Sequence, residues 1–486
     1  KRAMSEATIE VDVAVIGAGT AGLVARQQAL THGAERVLLI EGGPHGTTCA
    51  RVGCMPSKLL IAAAEAAAAV RGASTFGVEP GGLRIDGAAL MARLRRERDG
   101  FVGSVLKSID KIPEQNRLDG WARFVGRSSL EVEGPDGRTR VNARAIVVAT
   151  GSSPSVPASL RELGDRLLTS DTLFELPTLP RSLVVVGTGV IGLELGQALA
   201  QLGVAVSVLD IGTRLPLLKS DAMQTEARAL FEQRLDMHFG IRELTAKLGE
   251  DGAHMSWFGS DDQPHELTCE YVLAATGRRP QLTRLELQNA GLELDDRGTP
   301  RRWDDRTTQI ADTPIFLAGD VNGERPLLHE AAAEGRIAGI NAARYPEVRA
   351  HVRHVSLAIM FTSPNVAMVG SCPGPDGEGD EWDFGELDFA NQGRAQVIGQ
   401  DHGRARIYAT RSCGTILGAE LIGPQVEHLA HLLAWAIEQR MTVPQALAMP
   451  YYHPVIEEGL RTALQQLGRK IKMAPKPRPL DCGPGT

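Results

Sequence analysis

Two cysteines separated by four residues, in Gly46-Thr-Thr-Cys49-Ala-Arg-Val-Gly-Cys54-Met-Pro-Ser-Lys58, are the groups in this chain best placed for redox chemistry. A disulfide between them would close a very short loop, which gives little entropic stabilisation and is prone to strain. Strain raises the reduction potential and makes the bond exchangeable, so the pair suits catalysis better than stapling. Zinc is the competing use. No second Cys or His pair lies nearby at ligand spacing, and no metal is expected. Two idle thiols beside a helix start are the bland alternative.

One pattern that could feed such a pair occurs twice. Val11 to Ala25 and Ser182 to Gly196 each read as a β-branched strand, then G-x-G-x-x-G, then a helical stretch. In each, a second strand ends in an acid, Glu41 or Asp210, 24 residues after Gly17 and 23 after Gly187. Gly17 and Gly187 make the tight turn, Gly19 and Gly189 leave room for a pyrophosphate on the helix N-terminus, and Gly22 and Gly192 let helix and strand pack closely. The acid accepts from the ribose hydroxyls. Two complete copies mean two dinucleotide sites, the usual equipment for moving a hydride between a flavin and a nicotinamide. Two further runs end in A-T-G, at Thr150-Gly151 and Thr276-Gly277, and a third strand ends at Asp320.

The whole chain fits this picture. Its 486 residues correspond to about three domains at ~150 each. Hydrophobic residues are 43% and charged residues 23%, a globular balance. A net charge of −7 leaves no basic surplus to neutralise phosphates, so nucleic acid is not expected as a partner. No uninterrupted apolar run approaches the ~18 residues of a membrane span, the most apolar tract being 183–209, and no membrane association is expected. Glu6, Glu10 and Asp12 interrupt any signal-peptide core. Six cysteines make no disulfide scaffold, so a reducing, cytoplasmic location is expected.

From about His351 the pattern changes to strand-like pieces followed by an amphipathic stretch, Val426 to Arg440, which suggests an α+β domain. Cys372 to Asp388 is an acid- and glycine-rich insert that reads as a solvated loop, and residues from Arg469 on read as a tail. The expected fold class is α/β, with two Rossmann-like dinucleotide-binding domains and a C-terminal α+β dimerisation domain.

The stretch G-T-T-C-A-R-V-G-C-M-P-S-K closely resembles the redox motif of the flavoprotein disulfide reductases, dihydrolipoamide dehydrogenases in particular. The resemblance runs over about residues 10–468. It takes in both fingerprints, the three strand-end motifs, F-T-S-P-N-V-A-M-V-G at 361–370 and His453-Pro-Val-Ile-Glu-Glu458. It implies a homodimer, with FAD-binding segments at 10–160 and 284–350, an NAD-binding domain at 161–283, an interface domain at 351–468 and a tail at 469–486. FAD would be held by Gly17, Gly19, Gly22, Glu41, Thr48, Lys58, Thr150, Gly151 and Asp320. NAD would be held by Gly187, Gly189, Gly192, Glu194, Asp210 and Gly277. Cys49 would exchange with substrate, Cys54 would lie against the flavin as the charge-transfer thiolate, and Lys58 would sit near the flavin N5 and pair with Glu194.

Substrate thiols must lose protons to attack a disulfide, and a histidine titrating near neutrality is a suitable base. Alone, His453 reads as a surface or capping residue. The resemblance makes it a base, oriented by Glu458 and acting on the cysteine pair of the other subunit. Pro454 is expected to start the helix carrying Glu458. Asp210 favours NAD over NADP, against which Arg214, four residues on, could reach a phosphate. The implied reaction is oxidation of dihydrolipoamide, free or on a lipoylated carrier protein, with NAD⁺. Tyr451, Tyr452 and Glu457, near the expected mouth of the thiol channel, leave open another disulfide of glutathione type or a quinone. Mercuric reductases carry a cysteine pair in the tail where this chain has only Cys482. A nucleotide-binding protein without turnover is the third reading, and a complete catalytic set opposes it.

Overall fold

The computed structural model describes residues 7–373 and 381–473. The chain opens with β1 (Ala7–Ile16), α1 (Thr20–Thr31) and β2 (Val37–Glu41). Both strands are rich in Val, Ile and Leu, and residues 13–16 and 37–40 are buried, as expected for parallel strands covered on both faces. A five-residue helix α2 (Thr48–Val52) is followed at once by α3 (Cys54–Gly72), then by α4 (Gly87–Asp110). After β3 (Arg117–Asp119), the strands β4 (Trp121–Gly126), β5 (Ser129–Gly134) and β6 (Gly137–Val148) form a meander whose last member runs parallel to β1. The sheet order is β3-β2-β1-β6-β5-β4.

A short β7 (Ser152–Pro154) leads out of this sheet into a second one, built from β8 (Leu167–Leu168), β9 (Ser182–Val186), α5 (Val190–Gln201), β10 (Ala205–Asp210), α6 (Asp221–Glu232) and β11 (Asp236–Phe239). An antiparallel ribbon, β12 (Arg242–Leu248), β13 (Ala253–Phe258) and β14 (Pro264–Cys269), precedes β15 (Tyr271–Ala274), which returns between β9 and β8. All five strands of this sheet are parallel, in the order β11-β10-β9-β15-β8. The chain goes back along β16 (Arg278–Pro280), antiparallel to β7, and adds β17 (Ile315–Leu317) beside β6. Helix α7 (Leu328–Arg344) then lies on α1. Their backbones approach so closely that a Cβ at Gly335 or Gly339 would stand 2.3 Å from the Ala21 oxygen or 2.2 Å from that of Ala25.

The third body is an antiparallel sheet with helices. It comprises β18 (Leu357–Met360), β19 (Asn365–Gly370), β20 (Trp382–Asp388), α8 (Gly393–Val397), β21 (Arg404–Thr410), β22 (Ile416–Gly423), α9 (Val426–Glu438), α10 (Val443–Leu447) and α11 (Glu458–Lys470). Its core joins Ile407 and Leu421 of the sheet to Leu429, Leu433, Leu460 and Leu464 of the helices. Two Rossmann-like sheets and a C-terminal α+β unit are the fold class the sequence implies.

Three local expectations need correction. Residues 382–388 of the supposed insert form β20, an edge strand with Trp382 and Phe384 against Tyr408 on one face and Leu387 in the core on the other; residues 374–380 lie outside the described residues. The tail begins later than Arg469: Ile471 is buried and Met473 packs on Gly414, while Cys482 lies outside the described residues. Pro454 does not start the last helix, which begins at Glu458. One helical stretch, Thr48–Phe76, is long and apolar enough to cross a membrane, with a mean hydropathy of 1.3 over its most apolar window. Here it carries the cysteine pair, and its Leu60, Ile61, Ala64 and Ala67 join a buried cluster with Leu193 and Leu195 of α5.

The α1–α7 contact generates a prediction. Gly339→Ala should destabilise the FAD-loaded protein by about 1–3 kcal/mol through overpacking. A lowered Tm in thermal unfolding would show it, and an unchanged Tm would mean that the helices are not in backbone contact.

Candidate active site

At the end of β1, Gly17 has φ +109°, and a Cβ there would meet the Ala149 oxygen at 2.3 Å. A Cβ at Gly22 would lie 1.9 Å from the Gly17 oxygen, which is the close helix–strand packing the third glycine permits. Gly19 faces open space, with nothing within 4 Å of where its Cβ would be. The Glu41 carboxylate closes the turn by accepting from the Ala18 and Gly43 amides, both at 2.7 Å. It lines a cavity of about 410 Å³ with Asp119, Gly120 and Trp121, the size class of small-ligand sites.

The second fingerprint repeats this geometry. Gly187 has φ +110°, with a Cβ position 2.4 Å from the Ala275 oxygen, and Gly192 would clash with the Gly187 oxygen at 2.1 Å. Nothing lies closer than 3.8 Å to a Cβ at Gly189. Asp210 accepts from the Thr188 amide at 2.5 Å and from the Gly212 amide at 2.6 Å. Arg214 turns away from it, its Nη1 on Asp221 at 2.7 Å and its Nη2 on the Lys219 oxygen at 2.6 Å. Both sites fit a dinucleotide: each offers an open middle glycine at a helix N-terminus and a strand-end acid.

The two A-T-G turns are tied to each other. Thr150 Oγ1 donates to the Gln281 oxygen at 2.8 Å, and Thr276 Oγ1 donates to the Ser155 oxygen at 2.7 Å, flanking the β7–β16 pair. Gly151 and Gly277 have φ of +68° and +102°. Asp320, just past β17, accepts from Ser152 Oγ at 3.0 Å, and Arg278 Nε donates to the same hydroxyl at 2.8 Å. The turn bearing Asp320 hangs on Glu334, which is buried in α7 and accepts from Gly319 N and Asn322 Nδ2, both at 2.7 Å. Arg353 donates to Glu334 at 2.9 Å and to Glu330 at 2.6 Å, offsetting the burial that raises the Glu334 pKa.

Cys49 lies in α2 and Cys54 is the first residue of α3, with Gly53 between the helices. Thr47 caps α2 through its hydroxyl, which accepts from the Ala50 amide at 3.2 Å, and Thr48 is the first helical residue. Both thiols are free. A hydrogen bond from Cys49 holds the Cys54 pKa down, at about 6, with help from the nearby Lys58 charge and against the cost of burial. The position of Cys54 at a helix N-terminus acts in the same direction. That hydrogen bond, burial and the Cys54 charge push Cys49 well above the usual thiol range. At neutral pH this asymmetry favours the proton on Cys49 and the negative charge on Cys54.

Four residues along α3, Lys58 Nζ donates to Glu194 Oε2 at 2.7 Å. Glu194 is 5% exposed and sits in α5, the helix of the second fingerprint. Its other oxygen accepts from the Phe361 amide at 2.8 Å, and the Phe361 ring lies 4.6 Å from Lys58 Nζ. Cys49, Cys54, Lys58 and Glu194 thus come together where the three bodies meet.

His453 and Glu458 form their own unit. Nδ1 lies 3.0 Å from the carboxylate, and this hydrogen bond holds the Glu458 pKa below the usual range. The carboxylate can only accept, so Nδ1 carries a proton, and in the neutral imidazole the lone pair is then on Nε2. His453 is 81% exposed, and no hydrogen bond joins it to the cysteine pair of its own chain among the described residues. Tyr451 does not line an opening: it packs into the C-terminal core and donates to the Ala446 oxygen at 3.2 Å, whereas Tyr452 is exposed. Sequence reasoning missed Phe361, Ser152, Arg278, Glu334 and Arg353. Phe361, Ser152 and Arg278 stood inside or directly after quoted motifs, and Glu334 and Arg353 carried no spacing signal.

The profile of the family described as "Pyridine nucleotide-disulphide oxidoreductase" matches residues 11–335, and that of its dimerisation domain matches 357–464. The chain is 31% identical over 476 residues to "Dihydrolipoyl dehydrogenase" of Haloferax volcanii, covering 95% of this chain and 97% of the relative. It is 32% identical to "Dihydrolipoyl dehydrogenase 3" of Pseudomonas aeruginosa, over 95% and 99%. Among solved structures, LpdA of Mycobacterium tuberculosis superposes with TM-score 0.80 at 25% identity, covering 94% of this chain and all of that one. The HOCl-induced flavoprotein disulfide reductase RclA of Escherichia coli superposes with TM-score 0.79 at 21% identity, over 94% and 99%, a likeness of fold.

The thiol asymmetry has a testable sign. Cys54 is lowered from its ordinary value to about 6, so its thiolate prevails above that pH and is lost below it. Lys58→Met should move the midpoint up by about one unit, the low end of the effect of a nearby opposite charge, since Lys58 is partly solvated. The pH dependence of Cys54 alkylation in the reduced protein measures it, and an unmoved midpoint would remove Lys58 from the account.

Proposed function

Because the chain belongs to the pyridine nucleotide-disulphide oxidoreductases, with FAD and NAD(H) as its cofactors, we propose that it oxidises dihydrolipoyl groups to the lipoyl disulfide with NAD⁺. The observation that carries this reading is the Cys49–Cys54 pair, with its charge on Cys54, set against the Lys58–Glu194 bridge between two dinucleotide sites. Curated relatives of near-equal length, all named dihydrolipoyl dehydrogenases, support the choice of dithiol. In this reading residues 10–160 and 284–350 bind FAD, 161–283 bind NAD(H), and the protein works in the reducing cytoplasm. The dimerisation domain makes it a homodimer.

In the oxidised protein, one thiolate of the substrate attacks Cys49 Sγ. The Cys49–Cys54 bond breaks and Cys54 leaves as the low-pKa thiolate, a good leaving group. His453 Nε2 of the partner subunit takes the proton that this first substrate thiol gives up; the second substrate thiol then attacks the substrate sulfur of the mixed disulfide, and its proton passes to the departing Cys49 sulfur. This closes the lipoyl ring and leaves Cys49 reduced. Glu458 keeps the imidazole in the tautomer that can take that proton. FAD, which Gly17, Gly19, Gly22 and Glu41 would hold beside the cysteine pair, would supply the two-electron chemistry that links the Cys49–Cys54 dithiol to hydride transfer to NAD⁺. Asp210 receives the free ribose hydroxyls of NAD⁺, and Arg214, engaged with Asp221, is not aimed at a 2′-phosphate. Tyr452 and Glu457, beside His453, favour a second reading with the same thiol chemistry on another disulfide, of glutathione type, or with a quinone as acceptor.

The test is NADH formation from dihydrolipoamide and NAD⁺. Cys54→Ser should bind FAD and lose this activity. His453→Ala should slow it by about 10²–10⁴-fold, the usual contribution of a general base. Near-normal turnover of Cys54→Ser would sink the mechanism. No turnover by an FAD-loaded wild type that NADH still reduces would leave the second reading in place.

A further inference from the structure

Outside the site, one buried carboxylate is used by nothing described so far. Glu420, in the middle of β22, is fully buried and ion-pairs with no cationic side chain among the described residues. Its oxygens accept from Lys219 N at 3.0 Å, Ser220 N at 3.2 and 3.3 Å, Ser220 Oγ at 3.3 Å and Tyr408 Oη at 3.1 Å. Burying a lone carboxylate is costly unless donors of this kind surround it. Lys219 and Ser220 are the last residues before α6, so Glu420 also meets the positive end of that helix. Burial, then the Glu420 charge, raise the Tyr408 pKa, so its hydroxyl remains a donor. The carboxylate and Tyr408 belong to the dimerisation domain, whereas Lys219 and Ser220 belong to the second dinucleotide domain, at the start of α6.

Those groups end the loop that starts at Asp210. Gln224 closes the loop by accepting from Leu215 N at 2.8 Å and donating to the oxygens of Leu215 and Leu218 at 2.9 and 2.8 Å. Gly212 returns to Asp210, and Arg214 is folded onto Asp221 and Lys219. Each of these ties lies within the loop or α6, whereas Glu420 ties it to another domain. We propose that Glu420 is a positioning residue for the nicotinamide dinucleotide. By anchoring the far end of the 211–220 loop, it keeps Asp210 facing the ribose and Arg214 facing away, so that the site takes NAD(H) and rejects a 2′-phosphate. The inference rests on NAD(H) use and is independent of which dithiol is oxidised.

The experiment is calorimetric titration of the FAD-loaded dimer with NAD⁺ and with NADP⁺, no dithiol being present. Glu420→Gln keeps the shape and removes the charge. Its NAD⁺ Kd should rise about tenfold, as for loss of hydrogen bonds to a charged group, and the preference for NAD⁺ over NADP⁺ should shrink. FAD content, dimer mass and kcat at saturating NAD⁺ should hold. Ser220→Ala keeps the buried charge, deletes one donor and should shift the Kd in the same direction by about threefold. Unchanged NAD⁺ affinity in Glu420→Gln would overturn the assignment, as would FAD loss in step with NAD⁺ loss. Should the Gln variant not fold, unchanged affinity in Ser220→Ala would overturn it. Because binding is read without a dithiol, neither result bears on the dihydrolipoyl reaction.

Discussion

The ion pair between Lys58 and Glu194 is the constraint on which the rest of the molecule depends. The Glu194 carboxylate is 5% exposed and takes its charge partner from Lys58; removing the partner of a fully buried pair costs about 3–5 kcal/mol, less here because a third of Lys58 is in solvent. The pair joins α3, which carries Cys54, to α5, which opens the second fingerprint. The Phe361 amide satisfies the remaining oxygen from the third body. Three units of different topology are thus pinned within one turn of helix from the reactive sulfur. The same lysine charge helps hold Cys54 as a thiolate, so the group that fixes the geometry also tunes the chemistry.

Around that joint, each dinucleotide site is rigid where it must turn and open where a phosphate must approach. Gly17 and Gly187 press against the backbones of Ala149 and Ala275, which head the two A-T-G turns. Those turns are cross-tied by Thr150, Thr276 and the β7–β16 pair. The strand ends beside one fingerprint are therefore bonded to those beside the other. A relative displacement of the two sheets would have to break these ties together with the Lys58–Glu194 bridge.

What the sequence disclosed was whatever repeats or is short in range. Two fingerprints with acids at matched spacing, and two cysteines in one motif, declare themselves because each function is written within about 30 consecutive residues. The family resemblance then paired Lys58 with Glu194 across 136 positions, which no local pattern could have done. Single long-range partners remained hidden: Glu334 beneath Asp320, Phe361 on Glu194 and Glu420 on Lys219 are isolated residues whose meaning comes only from the element opposite. Strand β20 was hidden by the acid-rich composition before it, although its two faces could be read in Trp382 and Phe384 on one side and Leu387 on the other. Tyr451 was misplaced because adjacent residues in an irregular segment can face opposite ways, and only Tyr452 faces out.

The most direct test of the central claim, that Cys49 and Cys54 carry the electron pair from a dithiol to NAD⁺, is a single-turnover thiol count. The oxidised FAD-loaded protein is mixed anaerobically with one equivalent of dihydrolipoamide per chain, quenched with an alkylating reagent and mapped by peptide mass. The account predicts new label on both Cys49 and Cys54, and, when NAD⁺ is added before the quench, its disappearance with one NADH formed per chain. Label confined to other cysteines, or NADH formed while Cys49 and Cys54 never become reactive, would contradict it.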